Sequence, residues 1–220
     1  LRGEVQAQLE GLEKETGKTF GKGPDPLLVS VRSGSALSMP GMMDTILNLG
    51  LNAETLQCLI EQTGDERFAY DAYRRFIQLF GKVALGIDAE KFDEHFNEVK
   101  KRAGVKADVS LDAAHLKEIS DKFLAVVRAE TGTGFPQDVM LQLKLAVEAV
   151  FRSWMGKRAV DYRREFNITP DMANGTAVNV VTMVFGNLGD DCATGVGFTR
   201  YPDTGENRMF GEYLTNAQGE

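Results

Sequence analysis

The chain has 220 residues, 43% hydrophobic and 26% charged, with 25 Lys and Arg against 32 Asp and Glu, for a formal net charge of -7. That apolar content can bury a real core, and the acidic balance argues against a surface built for nucleic acid. No apolar stretch approaches the roughly 20 residues needed to span a bilayer, and no signal peptide is visible.

In chain order, Val5, Leu9 and Leu12 recur at helical spacing, and Gly21, Gly23, Pro24 and Pro26 end that helix. Leu27 to Val31 is short, apolar and rich in β-branched residues, which predicts a buried strand. Ser33, Gly34, Ser35 and Ala36 follow as a predicted loop. Beyond Asn52, an expected N-cap, five helices are predicted from apolar stripes. Their markers are Leu56, Leu59 and Ile60; Phe68 to Val83; Phe92, Phe96 and Val99; Leu116, Ile119, Phe123 and Val126; and Leu143, Val147, Val150, Phe151 and Trp154. Such stripes are read as shared interior. After Phe166 the pattern becomes β-branched, with strands predicted over Thr176 to Phe185, Gly195 to Thr199 and Arg208 to Leu214 in antiparallel sheet. Asp203, Thr204 and Gly205 supply a hairpin turn.

The chemistry concentrates where the first strand ends. Arg32 offers a forked guanidinium, and Ser33, Gly34 and Ser35 offer backbone N–H groups and hydroxyls, a combination suited to an anion such as phosphate. A salt bridge to a neighbouring carboxylate, or plain solvation in a surface loop, is the alternative use of that arginine. Glu220 follows a glycine that lets backbone approach closely, and its carboxylate is the hard ligand that magnesium favours. Glu212 is a second metal candidate, or an exposed strand carboxylate, and Gln218 is weaker still.

Other features have simpler uses. His95 and His115 lack a second ligand at helical spacing and are expected to be exposed or capping. Lys100, Lys101 and Arg102 complement a helix C-terminus. Met39, Met42 and Met43 could pack on a nucleotide or simply within their loop, and Gly195 and Gly197 suit close sheet packing as well as any ligand. Cys58 and Cys192, far apart and without CxxC spacing, are expected to be reduced thiols.

Five segments, LLVSVRSGSALSMPGMMDTILNLGLN (Leu27 to Asn52), FAYDAYRRFIQLFG (Phe68 to Gly81), GTAVNVVTMVFGNLG (Gly175 to Gly189), TGVGFTRYPDTGE (Thr194 to Glu206) and GEYLTNAQGE (Gly211 to Glu220), closely resemble the nucleotide-binding region of the pyruvate, phosphate dikinase family, in its order. Ala193 stands where a glycine would complete the fourth motif. The resemblance covers nearly the whole chain. It implies an α+β fold, a partial ATP-grasp domain with a helical subdomain inserted between sheet-forming segments. The expected division is 1–51 for the first helix, strand and phosphate-side loop, 52–166 for the helical subdomain and 167–220 for antiparallel strands.

The resemblance also implies ATP and Mg2+ as ligands, Arg32 as the phosphate clamp assisted by Ser33, Gly34 and Ser35, and a phosphohistidine carried on another, swivelling domain. A pyruvate-binding barrel would be a further partner. Because the chain opens at Leu1 and closes within a motif, it is expected to be a piece of a larger protein, inactive alone and binding ATP weakly or not at all. That piece is expected to be monomeric, the parent homodimeric and cytoplasmic, with organellar targeting left open. Phosphoenolpyruvate synthases and rifampin phosphotransferases share the general fold and differ in the acceptor, and a purely structural or docking module is the reading from another class.

Overall fold

Antiparallel pairing between segments distant in sequence organises the first of two units in this computed structural model, which describes residues 2–219. One unit runs to Met183 and the other begins at Val184. In the first, α1 (Arg2–Thr16) leads into a short parallel pair, β1 (Thr19–Phe20) and β2 (Pro26–Leu27). β3 (Val29–Ser35) then lies at the centre of a three-stranded sheet between β4 (Ile46–Leu49) and β5 (Thr176–Thr182), antiparallel to both. Between β4 and β5 come α2 (Ala53–Thr63), α3 (Glu66–Val83), α4 (Ala89–Arg102), α5 (Ala113–Thr131), α6 (Val139–Ser153) and α7 (Lys157–Glu165). The architecture is therefore α+β, with helices between strands that share a sheet. The expected boundaries at 51/52 and 166/167 both lie inside this first unit.

Local chemistry sets the helix starts. The Asn52 side chain accepts the Thr55 N–H while Thr55 Oγ1 accepts the Asn52 N–H, a reciprocal cap on α2. Asp65, Asp88, Asp112 and Asp138 cap α3, α4, α5 and α6 in the same sense, each accepting a first-turn N–H. Five of the helices match the apolar stripes. The sixth, α7, buries only Ala159, so it carries no apolar stripe by which the sequence could announce it.

Phe76, Phe80 and Phe135 meet edge to face, with centroids 5.5, 5.4 and 5.3 Å apart, and Phe92 meets Phe123 at 5.1 Å. Gly81 admits Phe92 against α3, since a Cβ there would stand 2.6 Å from the Phe92 ring. Phe151, by contrast, departs from the interior expected of its stripe and is 49% exposed, because α6 turns that position away from the sheet it covers.

The sequence pattern predicts no strand over Ile46–Leu49, yet β4 forms there. Val29 pairs with Leu49 and Val31 with Ile46, so β4 spends one more residue than β3 over the same span. Asn48 takes the left-handed conformation there, φ 61°, and is wholly buried. The turn beyond it is secured by Gln142 of α6: Gly50 N–H donates to Oε1 at 3.1 Å, and Nε2 donates to Leu51 O at 3.0 Å and Pro136 O at 2.8 Å.

The second unit is a hairpin of β6 (Ala193–Phe198) and β7 (Phe210–Thr215), closed through the Tyr201–Glu206 turn with Gly205 left-handed at φ 71°. The strands predicted over Thr176 to Phe185, Gly195 to Thr199 and Arg208 to Leu214 therefore do not share one sheet: β5 pairs with β3, while β6 and β7 pair with each other. Gly195 serves this pairing, since a Cβ would meet Glu212 O at 2.7 Å, whereas at Gly197 nothing lies within 4 Å.

Gly186 is under a harder constraint, because its Cβ would fall 2.1 Å from Thr194 Oγ1, 2.6 Å from Ala217 O and 2.7 Å from Ala193 O. Two of those atoms are backbone and cannot swing aside. Gly186→Ala is expected to destabilise the hairpin unit by about 1–3 kcal/mol. Hydrogen exchange should read this as faster exchange across Ala193–Phe198 and Phe210–Thr215 with the first unit unaffected; unchanged protection would refute it.

Candidate functional site

Strand geometry sorts the expected anion-binding residues before any ligand is considered. Side chains alternate along β3, so Val29, Val31, Ser33 and Ser35 project to one face and Ser30, Arg32 and Gly34 to the other. Ser33, Gly34 and Ser35 are not the loop that their small size suggested. They continue the strand, in register with Val178, Ala177 and Thr176 of β5. β-branched residues on β5 can be paired over that length, and the Gly34 N–H also donates to Thr176 Oγ1 at 3.0 Å. The structure therefore brings Arg32 and Gly34 to one face and sends the two hydroxyls to the other. Ser35 Oγ is buried with no hydrogen-bond partner among the described residues.

On the Arg32 face, β5 contributes Ala177, Asn179 and Val181, all exposed. Arg32 Nε donates to Ser30 Oγ at 3.1 Å, and Ser30 Oγ donates to Val181 O at 3.4 Å. The guanidinium is thus held along its own strand through its ε edge, with Ser30 buried beneath it. Directly across the ladder from Arg32 stands Asn179. Sequence reasoning missed Ser30 and Asn179 because their value depends on which strand pairs with β3 and in what register.

The loop after β3 is tied down. Met39 is buried, Met42 N–H donates to Met39 O at 3.1 Å, and Met42 and Met43 are half-buried. Arg158 of α7 donates to Gly41 O at 3.3 Å and to Asp44 Oδ1 at 2.7 Å, while Asp44 N–H donates to Ser153 Oγ at 3.1 Å. No sequence signal marks Arg158 among the cations of α7.

In the second unit, Glu212 lies on β7 opposite Val196 and is exposed, and Gln218 is half-buried. Glu220 lies outside the described residues. Among the described residues no group of three or more His, Cys, Asp or Glu side chains gathers as a metal site. His95 Nδ1 stands 3.6 Å from Glu98, and His115 Nδ1 stands 2.7 Å from Asp112, the cap of its own helix. Cys58 and Cys192 are free thiols; burial and the neighbouring Asp191 carboxylate push the Cys192 thiol upward. No helix among the described residues is long and apolar enough to cross a membrane.

The chain is in class an α+β domain, with Arg32 on a face of its antiparallel sheet that β5 leaves exposed. The family described as the pyruvate phosphate dikinase, AMP/ATP-binding domain, matches residues 1–219, and the chain belongs to it. Among curated proteins it is 59% identical over 220 residues to pyruvate, phosphate dikinase of Entamoeba histolytica, covering 100% of this chain and 25% of that protein. To pyruvate, phosphate dikinase of Giardia intestinalis it is 55% identical over 222 residues, covering 100% of the chain and 25% of that protein. To pyruvate, phosphate dikinase 1, chloroplastic, of Arabidopsis thaliana it is 50% identical over 217 residues, covering 99% of the chain and 22% of that protein. The chain thus spans about a quarter of the length of the relatives it matches.

Proposed function

We propose that this chain is the nucleotide-binding part of a pyruvate, phosphate dikinase, with the ATP-grasp fold, and that Arg32 clamps the ATP phosphates. Its parent converts ATP, phosphate and pyruvate to phosphoenolpyruvate, AMP and diphosphate through a phosphohistidine on a swivelling domain, with a pyruvate-binding barrel completing a homodimeric cytoplasmic enzyme. The observation that carries the reading is the guanidinium of Arg32 on the open face of β3 and β5, held through Nε by Ser30 Oγ.

Phosphoryl transfer is catalysed mainly by positioning and by neutralising charge on the phosphate oxygens. A guanidinium fixed along its ε edge is oriented before a ligand arrives, and its planar fork matches two phosphate oxygens at once. Ser33 and Ser35 point to the other face, so their share is to carry the strand that aims Arg32. Magnesium is proposed as the ion that accompanies ATP. The described residues do not form a protein-built cage for it, Glu212 standing without two further acidic, His or Cys partners, so no step is assigned to it. When bound, the ion would neutralise phosphate charge.

Arg32→Ala in the full-length protein is expected to weaken ATP binding by about 10- to 100-fold, the range for a charge-assisted hydrogen bond, with Arg32→Lys recovering only part of it. Titration with ATP, with circular dichroism as the check on folding, decides this. Unaltered affinity in a folded Arg32→Ala protein removes the clamp. A wild-type protein that takes up no ATP removes the nucleotide reading and favours a scaffold.

A further inference from the structure

We infer that Asn179 is a second phosphate-binding residue of this site, donating its Nδ2–H to the phosphate that the Arg32 guanidinium grips; the inference rests on the proposed nucleotide reading. Three observations meet at this side chain. Asn179 is the register partner of Arg32, so both side chains leave the same face of the β3–β5 ladder as nearest cross-strand neighbours. It is exposed, and its carboxamide has no hydrogen-bond partner among the described residues. It also has a seat: its Nδ2 lies 2.6 Å from the point that a Cβ on Gly34 would occupy.

The seat explains a glycine that sequence reasoning assigned to phosphate approach. Gly34 has no left-handed backbone requirement and sits in regular strand, so conformational freedom is not what the position needs. It needs the missing Cβ, because the Asn179 carboxamide lies diagonally across it beside Arg32. An amide nitrogen donates and carries no charge, so it adds a directional contact to the guanidinium without repelling it. The class of ligand recognised is the polyphosphate of a nucleotide. A carboxylate at this position would present acceptors to an anion and oppose it.

Gly34 also provides the means to test the contact without altering either functional group. In the full-length protein, affinities for ATP and for inorganic tripolyphosphate would be measured for the wild type, Arg32→Ala, Asn179→Ala, Asn179→Asp, Gly34→Ala and the double variant Gly34→Ala/Asn179→Ala. Asn179→Ala is expected to weaken both ligands about tenfold, and Asn179→Asp by more. Gly34→Ala should reproduce the alanine loss by displacing the carboxamide, and the double variant should lose no more than either single one, since both remove one contact.

Weakening of ATP alone, with tripolyphosphate unaffected, would place Asn179 on the nucleoside and overturn the phosphate assignment. Wild-type-like affinity in both Asn179→Ala and Gly34→Ala, with Arg32→Ala weakened, would overturn the inference and leave the clamp standing. A wild type that binds neither ligand would fell the nucleotide reading and the inference together.

Discussion

Replacing Asp71 by Asn is expected to cost the first unit about 3–5 kcal/mol at neutral pH, the range for breaking a buried ion pair from one side. Asp71 lies on α3, with its side chain 10% exposed, between two arginines of the same helix. Oδ1 accepts from Arg74 Nε at 2.8 Å and lies 2.7 Å from Arg74 Nη2, and Oδ2 accepts from Arg75 Nε at 2.9 Å. Arg74, 6% exposed, stacks its guanidinium 4.7 Å from the centre of the Phe96 ring, so it cannot swing into water when the carboxylate is lost. The large cost comes from leaving that cation buried and unpaired.

The same site has a pH signature. Burial pushes the Asp71 carboxyl upward, but Arg74 and Arg75 together outweigh it and hold the group below its ordinary value of 3.8. A depressed folded-state pKa contributes stability that is fully present above the unfolded value and is lost as pH falls through the folded one. Wild-type stability should therefore decline below about pH 4, and Asp71→Asn should remove that part of the slope. Urea unfolding at a series of pH values measures both quantities. A variant within about 1 kcal/mol of wild type at pH 7, with an unchanged acid slope, would show that the pair is not coupled to folding.

Phe76→Ala is expected to cost about 3–5 kcal/mol, the price of a large cavity in a closed core. Phe76 is 1% exposed and meets both Phe80 and Phe135 edge to face. Collapse into the space is resisted because those two rings also pack against each other at 5.3 Å. Phe151→Ala is the matched control: it too belongs to an apolar helical stripe, yet it is half exposed and should cost well under half as much. Equal losses at the two positions, read from chemical denaturation, would contradict the burial argument.

These residues show which parts of the structure local rules reach. Asn52 caps α2 because its side chain needs only the N–H three residues on, and Gly205 closes a hairpin because its own φ allows it. The stripe of Phe68, Phe76 and Phe80 marks α3 for the same reason, as helical periodicity is carried within a few turns. The motifs around Arg32 likewise pointed to the family that residues 1–219 match. Helix α7 is not legible in the sequence because it buries Ala159 and nothing larger, and β4 is not because Asn48 interrupts its strand pattern.

From sequence alone came the helices with apolar faces, their caps, the α+β class, the family and the arginine around which a site could form. Tertiary structure decided that β5 pairs with β3 instead of the hairpin, and so that Arg32 shares a face with Gly34 and Asn179 while Ser33 and Ser35 do not. A strand's side chains change face at every residue, and its partner is chosen by backbone hydrogen bonds to a distant segment. Neither register nor partner is encoded in the few residues on either side of Arg32, so the face that it shares appears only once the sheet has closed.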